Sequence, residues 1–307
     1  MSENLNFAFI GGDKRQINVI KGFAADGYGV SVYGIDDEFN EGFEIKDSEA
    51  DELRIIKADN IVEAVAHADV VVLPLPYSSI LDAELINTPL SDKKIGVGEL
   101  FRALSDNNRK LVLAGKVDDR LEALSKIYGM HIIDYMDREE LAVLNAIPTA
   151  EGAIKIAMDE LPITINASEC LCIGYGRVGK VLANTLKGLG AVTTVAVRKH
   201  RDLAYIKAYG YNGIMLTQPL ENPKRYDAVF NTVPARVVDS TMLRALRDDC
   251  LIIDLSSKPG GVDFEAAKKL GRNVIWALSL PGKVAPVTAG NIIRDTIMNI
   301  LKELGIV

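Results

Sequence analysis

The chain has 307 residues, enough for two hydrophobic cores rather than one. Its residues are 48% hydrophobic and 25% charged, the balance of a globular protein. A formal net charge of −7 argues against nucleic acid as the main ligand, because binding phosphates needs a basic face. Cys170, Cys172 and Cys250 lie in apolar runs without CxxC spacing, so they read as buried thiols rather than a disulfide or zinc framework, and no metal is expected. Residues 1–9 are too short and polar for a secretory signal, and no apolar run approaches the roughly 20 residues of a membrane helix. A cytoplasmic setting without a membrane partner is expected.

Short β-rich runs alternate with helical stretches throughout, the pattern of parallel sheets covered by helices on both faces. Strands are predicted at 5–10, 30–33, 69–73, 110–113 and 131–133, with a helix over 14–26 after the turn Gly11-Gly12-Asp13. Residues 137–160 read as helix interrupted near Ile147-Pro148-Thr149. Either Pro148 occupies the first turn of a new helix or Thr149 caps it. This stretch has no sheet partner and is expected to connect two domains, counted with the first. A second set of strands follows at 170–173, 192–197, 213–216, 228–231, 251–254 and 273–276. A long helix over 286–304 carries the apolar stripe Ile292, Ile293, Thr296, Ile297, Ile300, Leu301 and Leu304, and is expected to pack back onto the first domain. The fold expected is α/β: two doubly wound, Rossmann-like parallel-sheet domains, 1–136 and 161–285, with a cleft between them.

The most informative segment is Cys170-Leu171-Cys172-Ile173 followed at once by Gly174-Tyr175-Gly176-Arg177-Val178-Gly179 and a helix. This GxGxxG sits between a strand and a helix, the context its mechanism requires. Gly174 permits the tight turn, Gly176 lets backbone approach a pyrophosphate, and Gly179 lets helix pack on strand. The helix N-terminus adds N–H groups and a positive dipole end. The next strand ends Arg198-Lys199-His200-Arg201 where NAD-binding chains usually place an acid. Arg198 can clamp a 2′-phosphate and Lys199 adds positive potential, so NADP is the expected cofactor; a solvated basic turn is the other reading. Asn231, Thr232, Val233 and Pro234 follow the fourth strand of this domain, and Ser256 the fifth, where ligands of open α/β sheets lie.

Three polar clusters are candidate substrate sites. Gly12, Asp13 and Arg15 form an anion-binding turn at a helix start; Asn145, Thr149 and Glu151 lie on the connector; Lys283 and Thr288 precede and begin the last helix. Ordinary turn and cap chemistry is the alternative for each. The histidines, His67, His131 and His200, do not follow the 231–234 turn, which argues against hydroxyacid oxidation with a histidine base. No catalytic acid–base residue is assigned.

Gly11-Gly12-Asp13-Lys14-Arg15-Gln16, Asn145-Ala146-Ile147-Pro148-Thr149-Ala150-Glu151-Gly152, the 174–179 and 231–234 turns, 254–261 and 280–290 occur in the order found in the family of dipicolinate synthase A subunits, which the chain resembles. The resemblance implies NADP-dependent oxidation of dihydrodipicolinate to dipicolinate during sporulation, in the mother-cell cytoplasm. It also implies a partner, the flavoprotein-like B subunit of dipicolinate synthase, in a heteromeric complex, and a small dicarboxylate substrate. A homo-oligomer is also compatible. A cyclic dicarboxylate needs two anion sites, for which Arg15 and Lys283 are the candidates. Aromatisation on hydride loss would lower the demand for a base. The rival classes are another two-domain NADP dehydrogenase, such as one acting on methylene-tetrahydrofolate, and a non-catalytic dinucleotide-binding subunit.

Overall fold

In the computed structural model, residues 5–36, 55–79, 81–105, 111–217 and 220–307 are described. The elements run β1 (Asn6–Ile10), α1 (Lys14–Ala25), β2 (Gly29–Tyr33), β3 (Ile55–Lys57), α2 (Ile61–Ala66), β4 (Val70–Val72), α3 (Val97–Ser105), β5 (Leu111–Ala114), α4 (Asp119–Tyr128), β6 (His131–Asp134) and α5 (Glu139–Leu144). They continue with α6 (Ala146–Glu160), β7 (Glu169–Ile173), α7 (Arg177–Gly188), β8 (Val192–Val197), α8 (His200–Ala208), β9 (Asn212–Met215), β10 (Ala228–Asn231), α9 (Ser240–Ala245), β11 (Leu251–Asp254), α10 (Phe264–Lys269), β12 (Val274–Trp276), α11 (Leu280–Val284) and α12 (Pro286–Glu303). Lys110, placed in a predicted strand, lies outside the described residues.

Two compact units result: Met1–Ala142 with Pro286–Val307, and Val143–Ala285. Each holds a six-stranded parallel sheet, ordered β3-β2-β1-β4-β5-β6 and β12-β11-β10-β7-β8-β9. Both are the doubly wound order, in which the chain reverses direction beside its first strand. The central strands are buried on both faces, which is why they are unbroken apolar runs rather than alternating ones; β4, β5 and β11 are buried at every position.

The first core packs Phe7 and Phe9 of β1 against Phe23 of α1, with ring centroids 4.4 and 5.8 Å apart. Ile292, Ile293, Ile297, Ile300 and Leu301 of α12 complete the same core. At the end of that helix Arg138 holds both carboxylate oxygens of Glu303 at 2.6 Å.

In the second unit α6 packs on α7 and α11. A Cβ on Gly152 of α6 would lie 3.0 Å from the Leu280 Cβ and 3.2 Å from Val284 Cγ2, so a residue without a side chain is what lets α11 approach. This packing bears on three readings of the sequence. The stretch Glu139–Glu160 is long and apolar enough to cross a bilayer, but Ala150, Ala153, Ile154 and Ala157 place its later part in the second core. It is therefore a packed part of the second unit from Val143 onward, not a connector attached to the first. Within it Pro148 lies in the first turn, whereas Thr149 does not cap: its hydroxyl donates back to the Asn145 carbonyl at 2.7 Å. The three thiols are buried, and burial pushes that of Cys170 up to about 11 and that of Cys250 to about 12.

Candidate functional site

Because both sheets share one topology, each offers the same position for a ligand: the turn after its first strand, beside the point where strand order reverses. The two turns differ in what fills them. After β1, Gly11 and Gly12 adopt φ of +69° and +122° and bring the chain to Asp13. The Asp13 carboxylate caps α1, accepting the Arg15 backbone N–H at 2.9 Å. It also accepts the Arg15 side chain, from Nε at 3.0 Å and Nη2 at 2.8 Å, and Nη2 donates as well to the Leu75 carbonyl. Arg15 is 8% exposed. The helix end is thus occupied by the protein's own anion and the arginine by its own acid. In this arrangement Arg15, expected as a free substrate cation, is paired with Asp13, and the turn at Gly12 and Asp13, expected to bind an anion, is capped by the same acid.

The turn after β7 is open. Gly174 has φ of +101°, and a Cβ there would fall 2.4 Å from Thr232 Oγ1. A Cβ on Gly179 would strike the Gly174 carbonyl oxygen at 2.3 Å, so α7 sits directly on the turn. Gly176, at the helix start, faces open space: a Cβ there meets nothing within 4 Å. No side chain caps α7, and Gly176 and Arg177 are exposed while Val178 is half-buried. Tight packing behind and an unfilled helix end in front fit the pyrophosphate of a dinucleotide.

Beside this turn, β8 pairs with β7 in the register Ile173 to Ala196, and the Gly174 N–H bonds the Ala196 carbonyl at 2.9 Å. Two residues further stands Arg198. Arg198 and Lys199 are exposed and have no hydrogen-bonding or ionic partner among the described residues, whereas Arg201 leans on Asp202 at 3.5 Å. Among the described residues the strand end therefore offers positive charge that no acid pairs.

On the other side of β7, Thr232 donates from both N and Oγ1 to the Ile173 carbonyl at 2.9 Å, with Val233 against Gly174 and Pro234 exposed. Asn231 and Ser256 are buried, and their side chains are spent inside the protein: Asn231 Nδ2 donates to Val233 O at 3.0 Å and Asp254 Oδ1 at 2.8 Å, and Ser256 Oγ donates to Asp254 Oδ1 at 2.7 Å. They shape the site rather than present side chains to it. Asp254 stands in the segment 254–257 expected at the site, but the sequence does not show that its carboxylate ties the two turns together. The available signal was a charged residue ending the apolar strand Leu251-Ile252-Ile253.

Of the other candidates, Asn145 and Thr149 are half-buried at the start of α6, Glu151 is exposed one residue before Gly152, and Lys283 is exposed on α11, which packs on Gly152. The two segments that carry these residues thus meet in one unit. Thr288 is exposed on α12, in the other unit. Among the described residues no group of His, Cys, Asp or Glu is arranged to hold a metal.

A family model for the N-terminal domain of the dipicolinate synthase A subunit matches residues 6–136. The dipicolinate synthase A subunit of Bacillus subtilis (strain 168) is 30% identical over 308 residues, covering 99% of this chain and 98% of that protein. This chain belongs to the family of dipicolinate synthase A subunits. The crystal structure of the family member from Bacillus halodurans matches at a TM-score of 0.85 and 29% identity, over 98% of this chain and 99% of that one. A transhydrogenase from Sinorhizobium meliloti shares the fold at a TM-score of 0.69 and 17% identity, over 98% and 94% of the two chains. In this dipicolinate synthase family member the matched N-terminal model covers the unit whose helix end is self-capped, and the open glycine turn lies beyond it.

Proposed function

We propose that this chain is the NADP-dependent oxidoreductase component of a dipicolinate synthase, oxidising dihydrodipicolinate to dipicolinate in the cytoplasm of a sporulating cell, partnered by the B subunit. The observation that carries the reading is the uncapped turn at Gly174–Gly179 flanked by the cations Arg198 and Lys199, which have no partner among the described residues. When bound, the nicotinamide supplies the hydride acceptor. The first turn of α7 binds the pyrophosphate through its N–H groups, and Arg198 and Lys199 hold the 2′-phosphate. The turns at 231–234 and 254–257 border the nicotinamide ribose. Lys283 holds a substrate carboxylate, and Asn145, Thr149 and Glu151, which lie in the same unit, are the polar groups proposed to border the substrate. The substrate loses a hydride to the cofactor and a proton to water; the ring becomes aromatic, so no strong base is needed.

The test is a spectrophotometric assay with dihydrodipicolinate, with and without the B subunit, following reduced cofactor. NADP is expected to give kcat/KM at least about tenfold above NAD, and Arg198→Ala to remove that preference, because a charge-assisted pair contributes about 1.5–3 kcal/mol. Equal use of NAD and NADP by the parent chain would refute the cofactor assignment. Absence of turnover both with and without the partner would refute catalysis.

A further inference from the structure

The far side of the open turn is organised by one carboxylate. Asp254 ends β11 and is fully buried. Its Oδ1 accepts from Asn231 Nδ2 at 2.8 Å, from the Ser256 N–H at 3.1 Å and from Ser256 Oγ at 2.7 Å; its Oδ2 accepts from the Gly261 N–H at 2.7 Å. None of these partners is a cation. Asn231, in turn, accepts the Val233 N–H at 3.1 Å and donates to the Val233 carbonyl at 3.0 Å. A Cβ on Gly261 would lie 2.1 Å from Asn231 Nδ2 and 2.4 Å from the Val233 carbonyl oxygen, so loop 254–261 is pressed onto turn 231–234. Trp276 Nε1 donates to the Ser256 carbonyl at 2.9 Å and ties in β12. The carboxyl ends of β10 and β11 are therefore joined through a single acid, and β12 is tied to the same loop through Ser256.

Sheet order says which half of a dinucleotide this serves. β7 has β8 on one side and β10 on the other. A dinucleotide lies across that reversal point, one nucleotide over each half of the sheet. With the adenine half over β7 and β8, where Arg198 stands, the nicotinamide half falls over β10 and β11.

We infer that Asp254 is a positioning residue for the nicotinamide half of the cofactor, fixing turn 231–234 and loop 254–261 before the cofactor arrives. The inference rests on the dinucleotide reading of the Gly174 turn. All four contacts on Asp254 come from donors. Asp254→Asn places an amide NH2 either against the Gly261 N–H or against the three donors at Oδ1, so one side of the clamp is broken in either orientation. The turns then have to be ordered by the ligand, at a cost to its affinity.

Calorimetric titration of the full chain with NADP and with adenosine 2′,5′-bisphosphate, which is the adenine half alone, separates the two halves. Asp254→Asn is expected to weaken NADP about tenfold or more and to leave the bisphosphate within about twofold of the parent chain. Ser256→Ala, which removes one donor of four, is expected to shift the same ratio by about threefold and serves as the test should Asp254→Asn fail to fold. An unchanged ratio, or equal loss of both ligands in the folded variant, overturns the inference. A parent chain that binds the bisphosphate and NADP with equal affinity overturns it too. A parent chain that binds neither removes the dinucleotide reading, and the inference with it.

Discussion

If the Asp13–Arg15 pair is internal to the first unit, Asp13→Ala should act on stability and not on substrate. The carboxylate caps α1 and accepts from Arg15 at 3.0 and 2.8 Å, and the two side chains are 31% and 10% exposed. Loss of the cap costs about 1 kcal/mol. Stranding one member of a fully buried ion pair costs about 3–5 kcal/mol, and the partial exposure of Asp13 brings this nearer 2–3 kcal/mol. The sum is about 3–4 kcal/mol, or about 10 °C in the midpoint of a unit this size. Arg15→Ala should cost less, because Asp13 keeps its cap and loses only its partner. The double variant should cost less than the two singles added, by about 2 kcal/mol, since no charge is left stranded. Urea denaturation of all four chains, followed by circular dichroism, measures this cycle. Costs that add within about 0.5 kcal/mol would refute the internal pairing and return Arg15 to the ligand.

Two further outcomes follow from packing and from titration. Gly152→Leu drives a side chain into Leu280 and Val284, already 3.0 and 3.2 Å from the Cβ position, and should cost about 1–3 kcal/mol, read as a lowered thermal midpoint. The hydrogen bonds from Arg138 hold the Glu303 carboxyl below its ordinary value of 4.5. A depressed acid stabilises the folded state above its unfolded value, and that contribution is lost as pH falls through the folded one. The difference in midpoint between the parent chain and Glu303→Gln should therefore be flat from about pH 7 to about pH 5, shrink as pH falls below about 4.5, and disappear once pH is below the folded value.

Much of the fold was legible because buried parallel strands leave an unmistakable apolar run. β8, β10 and β11 start and stop where that run does. β3 was missed: it is a three-residue edge strand with exposed positions and no alternation to detect. No helix is predicted over Leu280-Pro281-Gly282-Lys283-Val284, where proline and glycine obscure the helical pattern, yet it forms α11. The glycine turn was legible because Gly174 and Gly179 meet close contacts that a side chain would break, while Gly176 leaves the helix start open. Arg15 was legible as a cation but not as a paired one. Whether an acid two residues earlier turns back to meet it depends on the cap, and on a carbonyl sixty residues away that finishes the pairing. Asp254 was hidden for the same reason, since its donors come both from its own loop and from Asn231 on a neighbouring strand.

The first unit is discontinuous, and this sets an order on the ribosome. The second unit is one unbroken stretch, Val143–Ala285, with every strand of its sheet in hand once β12 has emerged. The first has its sheet early but lacks α12, whose isoleucines cover Phe7, Phe9 and Phe23. For the time it takes to translate the 143 residues between, that greasy face has no permanent cover. A nascent chain of this design has its earliest-made half finish last, and it is that half which would call on a chaperone.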